Sequence, residues 1–154
     1  MHLRTRKLLT LVLVSAAALW AADPVVGTWK LNLAKSKYNP GLAPKSETRV
    51  YEVQGAGIKL TVNGVAADGQ RISVGYTAET DAKDYAITGL GTIDAIKLTK
   101  IDDHSAAVTL SHGSVPVARA VRTVSPDGRT LTITYKGTDG EGRQVDNVRV
   151  YDKQ

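Results

Sequence analysis

Apolar residues recur along this chain with a period of two, and that period decides what it can fold into. Ile58, Leu60 and Val62 alternate with Lys59, Thr61 and Asn63. Ile72, Val74, Tyr76 and Ala78 alternate with Arg71, Ser73, Gly75 and Thr77, and Leu131, Ile133 and Tyr135 alternate with Thr130, Thr132, Thr134 and Lys136. Successive side chains of a strand point to opposite faces, so these are strands with one face buried and the other wet.

Turn signals cut the pattern at short intervals. Asp68-Gly69, His112-Gly113, Pro126-Asp127-Gly128 and Asp139-Gly140-Glu141-Gly142 read as hairpin tips, with further turns at Asp81 to Asp84 and Asp102-Asp103-His104. Ten strands are expected, near 25–33, 46–54, 57–65, 70–79, 84–88, 93–101, 105–111, 115–124, 129–137 and 144–152. Short connections make sequential strands antiparallel neighbours. A long meander has two exposed edges unless it closes, and closure into an up-and-down β-barrel of eight to ten strands removes both. A two-sheet sandwich is the alternative. One segment is irregular: Pro40, Gly41 and Pro44 forbid a long helix over Ala34 to Lys45. It is expected to hold at most one helical turn, over Ala34 to Tyr38, and to lie over a barrel mouth.

The start of the chain sets the compartment. Arg4, Arg6 and Lys7 precede the uncharged apolar run Leu8 to Leu19, and small residues follow. That order is a secretory signal peptide over 1–22, cleaved after Ala18 or Ala22. The run is too short for a permanent span of the roughly 30 Å bilayer core. Residues 23–154 then form one domain, periplasmic or secreted, without a membrane span. Three of the twenty Lys and Arg lie in the leader and none of the fifteen acidic residues do, so the remainder carries only +2 of the whole chain's +5. The charge points to no nucleic-acid or anionic-membrane partner. No cysteine is present to form a disulfide or to be acylated, so the domain is held by its core alone. A monomer is expected.

The domain opens Val25-Val26-Gly27-Thr28-Trp29-Lys30-Leu31 and closes Asn147-Val148-Arg149-Val150-Tyr151. The first resembles the Gly-x-Trp first-strand motif of lipocalins and fatty-acid-binding proteins, the calycin superfamily. The second is similar to the Arg-x-Tyr that ends fatty-acid-binding proteins, and the whole pattern resembles bacterial exported lipocalin-like proteins of unknown function. The resemblance implies a lipocalin-like barrel with a late-strand Arg packed over the first-strand Trp. It also implies an Arg pair and Tyr on a ligand's carboxylate. Two features depart from it. Fatty-acid-binding proteins carry a helix–turn–helix after the first strand, which the Pro-rich segment cannot supply, and they are cytosolic. In physical terms, Gly27 lets the backbone pass close to a large ring, and Trp29 can plug one barrel end under a cation.

Catalysis finds little support. His104 and His112 sit beside turns, and neither a thiol nor a Gly-x-Ser-x-Gly elbow is present. Asp102, Asp103 and His104 read as a solvated tip, no zinc-ligand spacing exists, and the tip at 137–142 lacks the Lys-Ser/Thr of a phosphate loop. No enzyme activity, metal or cofactor is expected.

The candidate ligand-binding residues are cations and phenols that one face can gather. Arg149 and Tyr151 share a face of the last strand. Arg119 and Arg122 lie on opposite faces of the eighth, so one of them can join Arg149. Tyr135 lies on the strand between, and Tyr76 sits among apolar residues of its own strand. Such a set inside a barrel would clamp a carboxylate through charge-assisted bonds. If Val148 and Val150 face inward instead, Arg149 and Tyr151 lie on the surface. Arg49-Val50-Tyr51 repeats the tripeptide in an ordinary strand. The expected function is an exported carrier or binder of a small apolar or carboxylate-bearing ligand. The alternative is a filled barrel serving as a structural or protein-interaction module of the cell envelope. A cavity of some hundreds of Å³ would mark the former.

Overall fold

The computed structural model describes residues 22–154; the leader reading falls on residues outside these. The alternating segments form ten strands: β1 Gly27–Leu31, β2 Ser46–Gln54, β3 Gly57–Val65, β4 Arg71–Ala78, β5 Asp81–Leu90, β6 Ile93–Lys100, β7 Ser105–His112, β8 Val115–Val124, β9 Thr130–Thr138 and β10 Gln144–Lys153. Each pairs antiparallel with its chain neighbours, and β1 pairs with β10, which closes the barrel. Closure rules out the sandwich. Among the described residues no helix is long and apolar enough to cross a membrane.

The closing seam is short, with Trp29 opposite Lys153, Lys30 opposite Asp152 and Leu31 opposite Tyr151. The pairing of β4 with β5 is thinner still, at Gly75–Thr88 and Tyr76–Ile87 alone. The turn expected at Asp81 to Asp84 is instead an irregularity inside β5. Asp81 already pairs with Thr99, and the register shifts before Asp84, where Ala82 has φ of 62°.

One end of the barrel carries residues 22–26 and the turns after β2, β4, β6 and β8. Here Val25 and Trp29 are fully buried, with Leu131 beside them in the core. The Trp29 indole N–H donates to the Val25 carbonyl at 2.7 Å. The other end carries the segment between β1 and β2 and the tips after β3, β5, β7 and β9. Leu33–Lys35 makes one 3-10 turn, and the chain then crosses β10, where Lys37 bridges Val148. Residues 40–44 line the mouth at this end, as expected of a long loop. Two glycine tips meet across it: Thr92 N–H donates to the Gly140 carbonyl at 3.1 Å. A Cβ at Gly91 or Gly140 would run into the opposing backbone, so only glycine permits that approach.

Candidate functional site

The barrel's register turns a set of charged and phenolic side chains inward. Glu47, Arg49 and Tyr51 alternate along β2; Arg122 follows Ala118 and Ala120 on β8; Tyr135 and Tyr76 come from β9 and β4; Asn147, Arg149 and Tyr151 come from β10. Because β1 lies between β2 and β10, closure brings the first and last of these groups together.

Glu47 stands at the centre of one cluster. Its Oε1 accepts the Tyr151 hydroxyl at 2.6 Å and the Arg49 Nε–H at 2.8 Å. The Arg49 guanidinium also lies 5.1 Å from the Tyr151 ring centroid. Burial alone would raise the Glu47 carboxyl, yet Arg49, Arg149 and the Tyr151 hydroxyl together hold it below its usual 4.5. Burial drives the Tyr151 hydroxyl well above the ordinary phenol range, and the Glu47 carboxylate it donates to adds to this.

The other two arginines are placed differently. Arg122 faces the Tyr51 ring at 5.5 Å, and Asp23, ahead of β1, approaches its Nη2 at 3.6 Å. Its Nη1 is buried without a hydrogen-bond partner. Arg149 lies between two rings, 5.8 Å from Tyr38 and 5.6 Å from Tyr135. Its Nε is buried without a partner, and so is the Tyr38 hydroxyl. Among the described residues, no carboxylate comes within ion-pair distance of Arg149. Asp139 shares the same mouth, but its Oδ2 holds Arg143 and its Oδ1 accepts backbone N–H groups of residues 141 and 143. Burial pushes the Tyr135 hydroxyl up to about 12, against the pull of Arg149.

These groups border an interior cavity of about 130 Å³. Arg49, Arg122, Arg149, Tyr76 and Tyr135 line it together with Leu60, Val74, Ile96 and Leu110. Arg149 also lines a mouth cavity of about 570 Å³ under the loop, and Arg122 a cleft of about 430 Å³ at the Trp29 end.

Arg149, Tyr151, Arg122, Tyr135 and Tyr76 thus lie on the inner face together. Arg119 does not: it is exposed on the outer face, beside Lys136 and Asp146. Arg119 and Arg122 sit on opposite faces, and Ala118 and Ala120 take the inward positions that carry Arg122 with them. The cation on Trp29 is not an arginine. The Lys153 ammonium lies 5.2 Å from its ring, while Arg149 stacks on tyrosines. A Cβ at Gly27 would meet Lys153 Cε at 2.9 Å, so the glycine makes room for the lysine stem rather than for a ring. Glu47 and Tyr38 carry no signal in the sequence, where Arg49 and Tyr51 read as part of an ordinary strand. The repeated Arg-Val-Tyr of β2 was the signal for the latter two, since β2 and β10 flank the same strand. His104 lies on an exposed bend and His112 at the exposed end of β7.

No protein-family model and no curated protein matches the chain. Among solved structures it is similar to zebrafish ileal bile acid-binding protein complexed with cholic acid. The TM-score is 0.52 at 13% identity, over 85% of this chain and 99% of that one. It is also similar to a redesigned β-barrel, mFAP1, bound to DFHBI, with a TM-score of 0.48 at 13% identity over 86% and 98% of the two chains. The first likeness shows a shared fold, the closed antiparallel β-barrel.

Proposed function

We propose that this protein binds a small ligand inside its barrel, with an apolar body against β3 to β7 and one anionic group on Arg149. The observation that carries the reading is the state of Arg149. It is a half-buried cation with, among the described residues, no carboxylate at ion-pair distance, and its Nε–H is buried and unsatisfied. Arginine is rarely buried unpaired, and a buried donor left without an acceptor costs about 1–3 kcal/mol. A ligand anion removes that cost. Its route is the loop end, where Arg149 borders both the mouth and the interior. The leader pattern extends the proposal: the protein is exported and acts as a carrier outside the cytoplasm. N-terminal sequencing of the secreted form tests that part, and a mature start near Leu19 or Asp23 is expected.

A second reading has its own support. The cavity of about 130 Å³ is smaller than the roughly 300–1,000 Å³ of most ligand sites. A filled barrel that contacts envelope proteins through its loops fits that size. Titration of the wild type and Arg149→Met with octanoate separates the two. Site binding requires the variant to lose about 2–3 kcal/mol of affinity, the scale of a hydrogen bond to a charge. Equal binding by both proteins sinks the anion site. Absence of binding, with no small molecule retained in native mass spectra of protein from its own host, favours the filled barrel.

A further inference from the structure

Counting the interior charges gives the site a definite valence. Three guanidinium groups, of Arg49, Arg122 and Arg149, border the cavity. Glu47 pairs with Arg49 and Asp23 with Arg122, while Asp139, which also borders the cavity, is taken by Arg143. One positive charge is left over, at Arg149. We propose that Glu47 is a built-in counter-ion, which occupies Arg49 and Tyr151 in the manner of a ligand carboxylate and so restricts the barrel to ligands with a single negative charge. This inference rests on the reading that Arg149 receives an anion.

The geometry sets Glu47 apart from an ordinary surface pair. Glu47 is 5% exposed, on an inward position of β2. Its Oε1 takes two short bonds, from a phenol and a guanidinium, which is how a bound carboxylate would be held. Without Glu47, Tyr151 and Arg49 would both point free donors into the barrel, and the interior would carry +2. Arg149 is among the groups that hold the Glu47 carboxyl ionised, so the two sites feel one another. A second negative charge on the ligand would share the barrel interior with the buried Glu47 carboxylate, where like charges repel strongly.

Three eight-carbon probes test this: octanoate, octylphosphonate at mildly alkaline pH where it is a dianion, and the neutral octanamide. They are titrated into wild type, Glu47→Gln, Arg49→Gln and the double variant. Glu47→Gln is expected to tighten octanoate on the order of tenfold and octylphosphonate by more, the effect of one unit charge in a site of intermediate dielectric. Arg49→Gln is expected to weaken octanoate by a similar factor, and the double variant to return the phosphonate-to-carboxylate ratio to its wild-type value. Octanamide should not follow these changes. If the two single variants shift octanoate in the same direction, Glu47 and Arg49 merely brace the barrel, and the counter-ion role is overturned. An unchanged ratio in Glu47→Gln, with binding still dependent on Arg149, overturns it too. Should Glu47→Gln fail to fold, Arg49→Gln and the double variant decide, because the double variant must recover what Arg49→Gln loses. Equal octanoate binding by wild type and Arg149→Met overturns the site itself and this inference with it.

Discussion

Replacing Trp29 with alanine tests how one end of the barrel is held shut. Trp29 is fully buried, its N–H is bonded to the Val25 carbonyl, and Lys153 lies over its ring. Truncating a buried Trp to Ala costs about 3–5 kcal/mol, depending on how far the site can collapse. Collapse is hindered here, because Trp29 pairs with Lys153 on one side and Arg49 on the other. The Val25 carbonyl also loses its donor, at a further cost of about 1 kcal/mol. A loss of about 4–5 kcal/mol is therefore expected, in the upper part of the usual range. With roughly 2.1 cal/mol/K of unfolding entropy per residue, a domain of this length should melt about 15 °C lower. Trp29→Phe keeps a ring but not the donor, and should lose roughly 1–2 kcal/mol. Urea unfolding followed by far-ultraviolet circular dichroism is the suitable assay, since the substitution removes one of the two tryptophans of the sequence, Trp20 being the other. A cost below about 0.5 kcal/mol, the range of surface substitutions, would refute the plug.

Other expectations follow from the same geometry. Arg149 stacks on Tyr38 and Tyr135 and not on Trp29, so in double-mutant cycles Arg149→Met should add to Trp29→Ala within about 0.5 kcal/mol and couple with Tyr135→Ala. Arg119→Ala, on the outer face, should leave both stability within about 0.5 kcal/mol and octanoate binding as they are. Glu47 is held below its usual 4.5 in the fold. Its stabilisation is thus present above the unfolded value and lost as pH falls through the folded one. Glu47→Gln breaks a buried pair and should cost several kcal/mol at neutral pH. The gap to wild type should close as pH drops below about 4.5, measured by urea titration across pH; a gap that persists in acid would place the stabilisation elsewhere.

What the sequence determined by itself was local. A period of two with a turn every ten residues or so specifies strands and hairpins, because side-chain alternation and turn chemistry depend only on neighbours in the chain. Ten strands, the loop over the mouth and the buried Trp29 were legible on those grounds. The irregular start of β5 was not, since a bulge and a turn use the same polar residues. Only the tertiary structure decided which way β10 faces. Both of its faces are covered: Arg149 and Tyr151 enter the barrel, while Val150 is buried on the outer side, where the Asn32 N–H and the Ser36 hydroxyl engage its backbone and Lys37 bridges Val148. With apolar residues buried on the outside and charges on the inside, alternation alone could not assign the faces. The grouping of Arg49, Glu47 and Tyr151 was equally invisible. About a hundred residues separate β2 from β10, and only the closing strand between them brings a carboxylate to the phenol and guanidinium that hold it.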